Sequence, residues 1–298
     1  MLAIIHHDAF SAPLPPGHRF PMPKFSALAR RIAAERLYGE RGFVAPALAP
    51  AAWLGLVHGA DYVDRVFSAR VPADISRIIG LPVSAEVARR ARAAVGGTVL
   101  AARLALAEGI ACNTAGGSHH ARAAHGAGFC VFNDVAVAIR VLQAAGEIGN
   151  ALVVDLDVHQ GDGTAAIFAG DATVRTVSLH GERNYPVRKV AGTVDVGFAD
   201  GTGDAPYLAA LIDVLGALDP GWPDIVFYNA GVDPHRDDRL GRLALSDRGL
   251  AERDKRVIGW ARGNSLPVAC VIGGGYSDDI EALADRHATL HRVAAGFV

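Results

Sequence analysis

Asp155, Asp157, His159 and Asp162 lie within eight consecutive positions, directly after the apolar run 151–154. An Asp-x-His triplet offers one carboxylate oxygen and one imidazole nitrogen to a single cation, both ligand types that zinc accepts in catalytic sites. A lone triplet of this kind is more often a turn or a cap, so its weight depends on what else converges on it. Three further groups qualify: the pair His119-His120 after Gly116-Gly117, Asp233 after Gly231-Val232, and Tyr276 after Gly273-Gly274-Gly275. Asp157, His159 and Asp233 make three zinc ligands, which leaves a position for water and substrate. Two carboxylates nearly neutralise the ion, so its water is less acidic than one held by three histidines, and a base is needed beside it. The paired histidines are the candidates. An imidazole works as a base when a carboxylate holds its far nitrogen, and Asp155 and Asp162 remain to serve the pair. Tyr276, on a glycine-rich turn that permits close approach, suits an oxyanion donor. The set describes metal-assisted hydrolysis of an amide or ester through a tetrahedral intermediate. Taken singly, each member has a plainer reading: His-His as a surface pair, Gly-Gly-Gly-Tyr as a loop, Asp233-Pro234 as a turn. Phe129 reads as core or as a channel wall.

What must position these residues is a parallel sheet. Short apolar runs at 2–5, 109–114, 151–155, 174–179, 225–230 and 268–272 read as buried strands. Each of those from 109 onward ends in polar residues of catalytic type, and ligands of open α/β sheets bind at the carboxyl ends of strands. Strand alternation would point Asp155, Asp157 and His159 to one side. Helices are expected at 25–37, 60–67, from Ser84 as N-cap to about 108, at 135–145 with Asn133 as N-cap, and at 164–168, 205–218, 247–262 and 278–295. The alternation means an α/β fold, one domain over 1–298, with helices on both faces of the sheet. The proline-rich stretch 11–23 reads as a linker or as a rim, and 68–84 as a short connection that leaves the mouth of the site open.

The 298 residues, 51% hydrophobic, suffice for a sizeable core. A net charge of −2 offers no footprint for nucleic acid or anionic membrane, and no basic patch supports a chromatin role. Cys112, Cys130 and Cys270 have no framework spacing and read as reduced core residues. The start carries no signal-peptide pattern and no segment reads as a membrane span, so a cytoplasmic protein is expected. His6, His7, His18, His58, His125, His287 and His291 are taken as structural.

Several stretches together resemble the histone deacetylase family: Gly-Gly-Ser-His119-His120-Ala-Arg, Gly128-Phe129-Cys130-Val-Phe-Asn133-Asp134, Asp155-Leu-Asp157-Val-His159-Gln-Gly-Asp162-Gly, Val-Ser178-Leu-His180, Gly-Val-Asp233 followed by Asp238-Arg-Leu-Gly241, and Gly-Gly-Gly-Tyr276. The opening Pro15-Pro16-Gly17-His18-Arg19-Phe20 and Gly80-Leu81-Pro82 are most similar to its class IV branch and bacterial relatives. The resemblance implies an arginase/deacetylase-like fold and a zinc ion held by Asp157, His159 and Asp233. It implies His120 as general base paired with Asp162, and His119 paired with Asp155 as an electrostatic or acid group. Tyr276 would polarise the scissile carbonyl, and Gly128 and Phe129 would line an acyl-lysine tunnel, with Tyr185 as the facing aromatic. It further implies a structural potassium at Asp155, Asp157, His159, Ser178 and Leu179, and a second near Phe168 and Val174. Gln160 departs from the second histidine many members carry. Pro234-His235-Arg236-Asp237 is more polar than usual, so that His235 and Arg236 touch substrate or decorate the rim.

The expected activity is zinc-dependent removal of an acyl group, acetyl or longer, from lysine side chains or a related amine. Deacetylation of small molecules such as acetylpolyamines is the alternative. A two-manganese ureohydrolase and a non-catalytic acyl-lysine binding module are the competing classes.

Overall fold

The computed structural model describes residues 1–298. Its centre is a seven-stranded sheet: β1 (Ala3–Ile5), β2 (Ile110–Asn113), β3 (Ala151–Asp155), β4 (Val174–Gly181), β5 (Val194–Phe198), β6 (Ile225–Asn229) and β7 (Val268–Val271). The order is β1-β2-β7-β6-β3-β4-β5, and every pairing is parallel. The strands β1, β2, β3, β6 and β7 are buried along their whole length, as expected of a sheet covered on both faces. Chain order runs outward from β3 to β5 and then returns through β6 and β7 to meet β2. The four adjacent strands β2, β7, β6 and β3 therefore surround the place where the winding reverses, which is where such sheets bind ligands.

Ten α-helices accompany the sheet: α1 (Lys24–Ala34), α2 (Ala51–Leu54), α3 (Ala60–Phe67), α4 (Ala73–Ile79), α5 (Ala85–Glu108), α6 (Asp134–Ala144), α7 (Asp162–Ile167), α8 (Asp204–Ala217), α9 (Asp247–Gly263) and α10 (Ile280–Ala295). The caps follow the sequence. Ser84 Oγ accepts from Val87 N at 3.2 Å, and Asn133 Oδ1 accepts from Ala136 N at 3.0 Å. Each such cap contributes about 1 kcal/mol. No helix is long and apolar enough to cross a membrane. The three cysteines are buried and unpaired, with Cys112 and Cys270 in register on β2 and β7.

Three expectations need correction. Strand β3 stops at Asp155, so Asp157 and His159 stand in the loop that follows, and strand alternation does not aim them. Strand β4 continues to Gly181, which puts Ser178 and His180 inside it. The stretch 68–84 is not an open connection. It contains α4, whose end packs on the site: Gly128 N donates to Ile78 O at 3.2 Å and Phe129 N to Ile79 O at 2.6 Å.

Candidate active site

The four central strands each deliver part of one cleft. After β2, Asp134 at the start of α6 reaches back and fixes the glycine loop: Oδ2 accepts from Gly117 N (3.1 Å) and Oδ1 from Ser118 N (2.7 Å). That loop presents His119 and His120. The loop after β3 presents Asp157, His159 and, opening α7, Asp162. The loop after β6 presents Asp233, and the loop after β7 presents Tyr276.

Asp157, His159 and Asp233 are buried together, with one ligand atom from each inside a 4.8 Å sphere of mutual distance. His159 Nδ1 lies 2.9 Å from Asp157 Oδ1 and 3.1 Å from Asp233 Oδ2. The far oxygens are held by backbone donors: Gly274 N to Asp157 Oδ2 at 2.6 Å, and Val158 N to Asp233 Oδ1 at 2.8 Å. A Cβ on Gly274 would stand 2.7 Å from Asp157 Oδ2 and collide with Asp233 as well, so this turn requires glycine. The donor set fits a divalent cation. Burial alone would lower His159, but hydrogen bonds with Asp157 and Asp233 hold it up at about 10. Burial and the charge of Asp157 likewise raise Asp233 to about 7. Two dry carboxylates beside one imidazole lack positive charge, and a bound cation would supply it in place of protons.

The two histidines above this triad are each backed by an aspartate. His119 Nδ1 bonds Asp155 Oδ2 at 2.7 Å, and His120 Nδ1 bonds Asp162 Oδ1 at 2.6 Å. Asp155 Oδ1 accepts from Asn229 Nδ2 at 2.9 Å, whereas Asp162 Oδ2 accepts from the Arg122 guanidinium at 2.6 Å. Burial lowers His119, yet the charges of Asp155 and Asp157 outweigh it and raise the ring to about 9. Burial and then the neighbouring His119 push His120 down to about 3, against its hydrogen bond to Asp162. Tyr276 N donates to Asp238 Oδ2 at 2.6 Å, and burial holds its phenol well above the usual value, so it is a donor at neutral pH.

A cavity of roughly 360 Å³ descends to His120, His159 and Tyr276. Phe129 and Tyr185 line it, with Tyr185 edge-on to His120 at 4.7 Å between ring centroids. Gly128 has a positive φ of 52°, and a Cβ there would lie 2.5 Å from the His120 ring and 3.2 Å from Tyr185. A side chain at position 128 would thus crowd the part of the wall formed by His120 and Tyr185. The proline-rich stretch is a wall rather than a linker: Phe20 packs on Phe129 (5.3 Å) and Tyr276 (6.4 Å), and His18 Nε2 bonds Gly80 O at 3.0 Å. Neither His235 nor Arg236 lines the cavity; His235 is buried against Asp247 at 3.3 Å instead.

Sequence reading missed several supports. Arg253 in α9 is fully buried, and its NH1 donates to Leu156 O (3.2 Å) and Gly231 O (2.6 Å), joining the two loops that carry Asp157 and Asp233. Lys24 is buried beneath Tyr276 and donates to Gly273 O and Gly275 O, both at 3.3 Å. Asn229 and Arg122 were also passed over. Arg122 and Asn229 each adjoin a motif already in hand, so their positions were a usable signal; for Arg253 there was none.

Residues 18–291 match the histone deacetylase domain. The chain belongs to the histone deacetylase family. An uncharacterized protein of Picosynechococcus sp. is 47% identical over 292 residues, covering 98% of this chain and 97% of its own. Histone deacetylase 2 of Arabidopsis thaliana is 31% identical, covering 92% of this chain and 74% of its own. A probable deacetylase of Methanothermobacter thermautotrophicus is 31% identical, covering 95% and 87%. The fold is that of the solved HDA15 HD domain, with a TM-score of 0.82 at 24% identity over 99% of this chain and 88% of that one. Membership of the family makes this chain a hydrolase of the deacetylase kind, acting on an acylated amine.

Proposed function

We propose that the chain is a zinc-dependent deacetylase of acylated amines, with the acyl-lysine side chain as the primary substrate class. The observation that carries this reading is the buried Asp157–His159–Asp233 triad beneath two aspartate-backed histidines at the floor of one channel. A zinc ion held by those three residues would supply Lewis-acid polarisation of the scissile carbonyl and a more acidic water. His120, neutral and held at Nδ1 by Asp162, takes the water proton at Nε2 and later hands it to the leaving amine. His119, held at Nδ1 by Asp155, is the electrostatic or acid group beside the negative charge that develops. The Tyr276 phenol donates to the carbonyl oxygen, while Phe129, Gly128 and Tyr185 orient the substrate's alkyl stem. Beyond the floor the adjoining void is only about 40 Å³, which suits an acetyl group and not a fatty chain.

The potassium expected at Asp155, Asp157, His159, Ser178 and Leu179 would draw on backbone and side-chain oxygens at the ends of β3 and β4, and it has no part in these steps. Against a two-manganese ureohydrolase, Asp155 and Asp162 are engaged with the histidines and do not bridge toward a second metal. Metal analysis and turnover test the reading together. About one zinc per chain is expected, with turnover falling from acetyl- through butyryl- to octanoyl- and myristoyl-lysine, and with His159→Ala losing both metal and activity. Two manganese ions per chain, or an active metal-free protein, would overturn it.

A further inference from the structure

The net charge of the chain is −2, yet the mouth of the channel is cationic. Arg19, Arg77, Arg183 and Arg242 all line it and are solvent-exposed, and no aspartate or glutamate does. They come from four separate places: the proline-rich wall, the last turn of α4, the loop after β4 and the loop before α9. Arg183 and Arg242 share Asp200, at 3.9 and 3.1 Å. Arg19 and Arg77 have no carboxylate partner. The Arg19 guanidinium instead rests over the Phe129 ring, 5.1 Å from its centroid, which parks a charge on the channel wall itself.

We propose that these arginines select an acylated amine whose amine half carries a carboxylate at the channel mouth. The inference rests on the deacetylase reading above and names the substrate class within it. The void past the floor is small, so the acyl group goes inward and the amine half points out, toward the arginines. A guanidinium binds a carboxylate through paired N–H donors, and two unpaired ones facing a narrow channel favour an anion and repel a cation. Acylpolyamines, which keep further ammonium groups at that end, are thereby disfavoured, as are acyl-lysines set among lysines and arginines. Two sources of the carboxylate remain: acidic side chains flanking an acyl-lysine in a peptide, or the free α-carboxylate of a small acylated amino acid.

The test uses the zinc-loaded protein with matched substrates. One pair is Nα-benzoyl-Nε-acetyl-lysine and its carboxamide; a second is an acetyl-lysine peptide flanked by glutamates and its counterpart flanked by lysines; N8-acetylspermidine completes the set. The acid members should lead in kcat/KM by about tenfold, mainly through KM, the size expected of one charge-assisted contact. The larger gap identifies the source. In an Arg19→Gln/Arg77→Gln variant, and in about 0.5 M salt, the ratio within each pair should fall toward one. Equal turnover across the charge series, or a ratio that survives both the variant and the salt, overturns the inference and leaves deacetylation standing. Absence of turnover on every acylated amine overturns the deacetylase reading and the inference with it.

Discussion

His119 and His120 are adjacent in sequence, are buried to 5% and 4% exposure, and each donates Nδ1 to an aspartate, yet they hold protons oppositely. His119 has the charges of Asp155 and Asp157 beside it, whereas burial and the neighbouring His119 act against His120, and what stands behind each aspartate points the same way. Asp162 is met by the Arg122 guanidinium; with His120 and Arg122 bonded to it, the carboxylate sits below its usual range in spite of burial. Asp155 is met by neutral donors, the Asn229 amide and the Asp157 backbone N–H at 3.2 Å, and burial raises it in spite of His119. A carboxylate already neutralised draws a proton onto its histidine weakly; one without a cation draws it strongly. Two near-identical pairs are thus tuned apart, His119 upward by the charges of Asp155 and Asp157 and His120 downward by burial and its neighbour, with the third member of each triad adding to the contrast.

The comparison can be broken most directly at the histidines. His120→Ala should lower kcat on an acetyl-lysine substrate by on the order of 10²–10⁴, the range for loss of a general base. His119→Ala should cost clearly less in the same steady-state assay, and equal losses would remove the distinction. Arg122→Gln should lower kcat several-fold and move the acid limb of the kcat/KM profile. His120 works as the neutral ring, so the rate falls as pH drops through its pKa. Without the guanidinium Asp162 holds the proton on His120 more firmly, and that limb must move to higher pH. A downward move would contradict the account. The smallest effect belongs to Asn229→Ser. His119 is raised to about 9 and stays protonated at neutral pH, so the rate there should change by less than about twofold. The alkaline limb, where His119 loses its proton, should rise slightly as Asp155 loses a donor.

The site was legible in sequence because its residues come in short local motifs at the ends of apolar strands. His119-His120, Asp155 to Asp162, Asp233 and Tyr276 each sit within a few positions of a strand or a glycine turn, and register on one sheet brings them together. The parallel sheet itself was readable from five fully buried runs. Strand β5 was not, since Val194, Asp195, Val196 and Gly197 form a half-exposed edge with no apolar run. Nor was α4, seven residues long and opened by a proline with no side-chain cap. The arginines of the mouth escaped for a different reason. They are scattered over more than two hundred positions of chain, and net charge averages away a patch assembled only by folding.

Arg253 has a consequence beyond the loops it joins. Because its guanidinium bonds Leu156 O and Gly231 O from within the core, the order of the ligand loops is settled when the chain folds and not when the cation arrives. Little chain entropy is then left for the cation to remove. A divalent cation would then be captured by a finished cleft, without having to order the loops around itself.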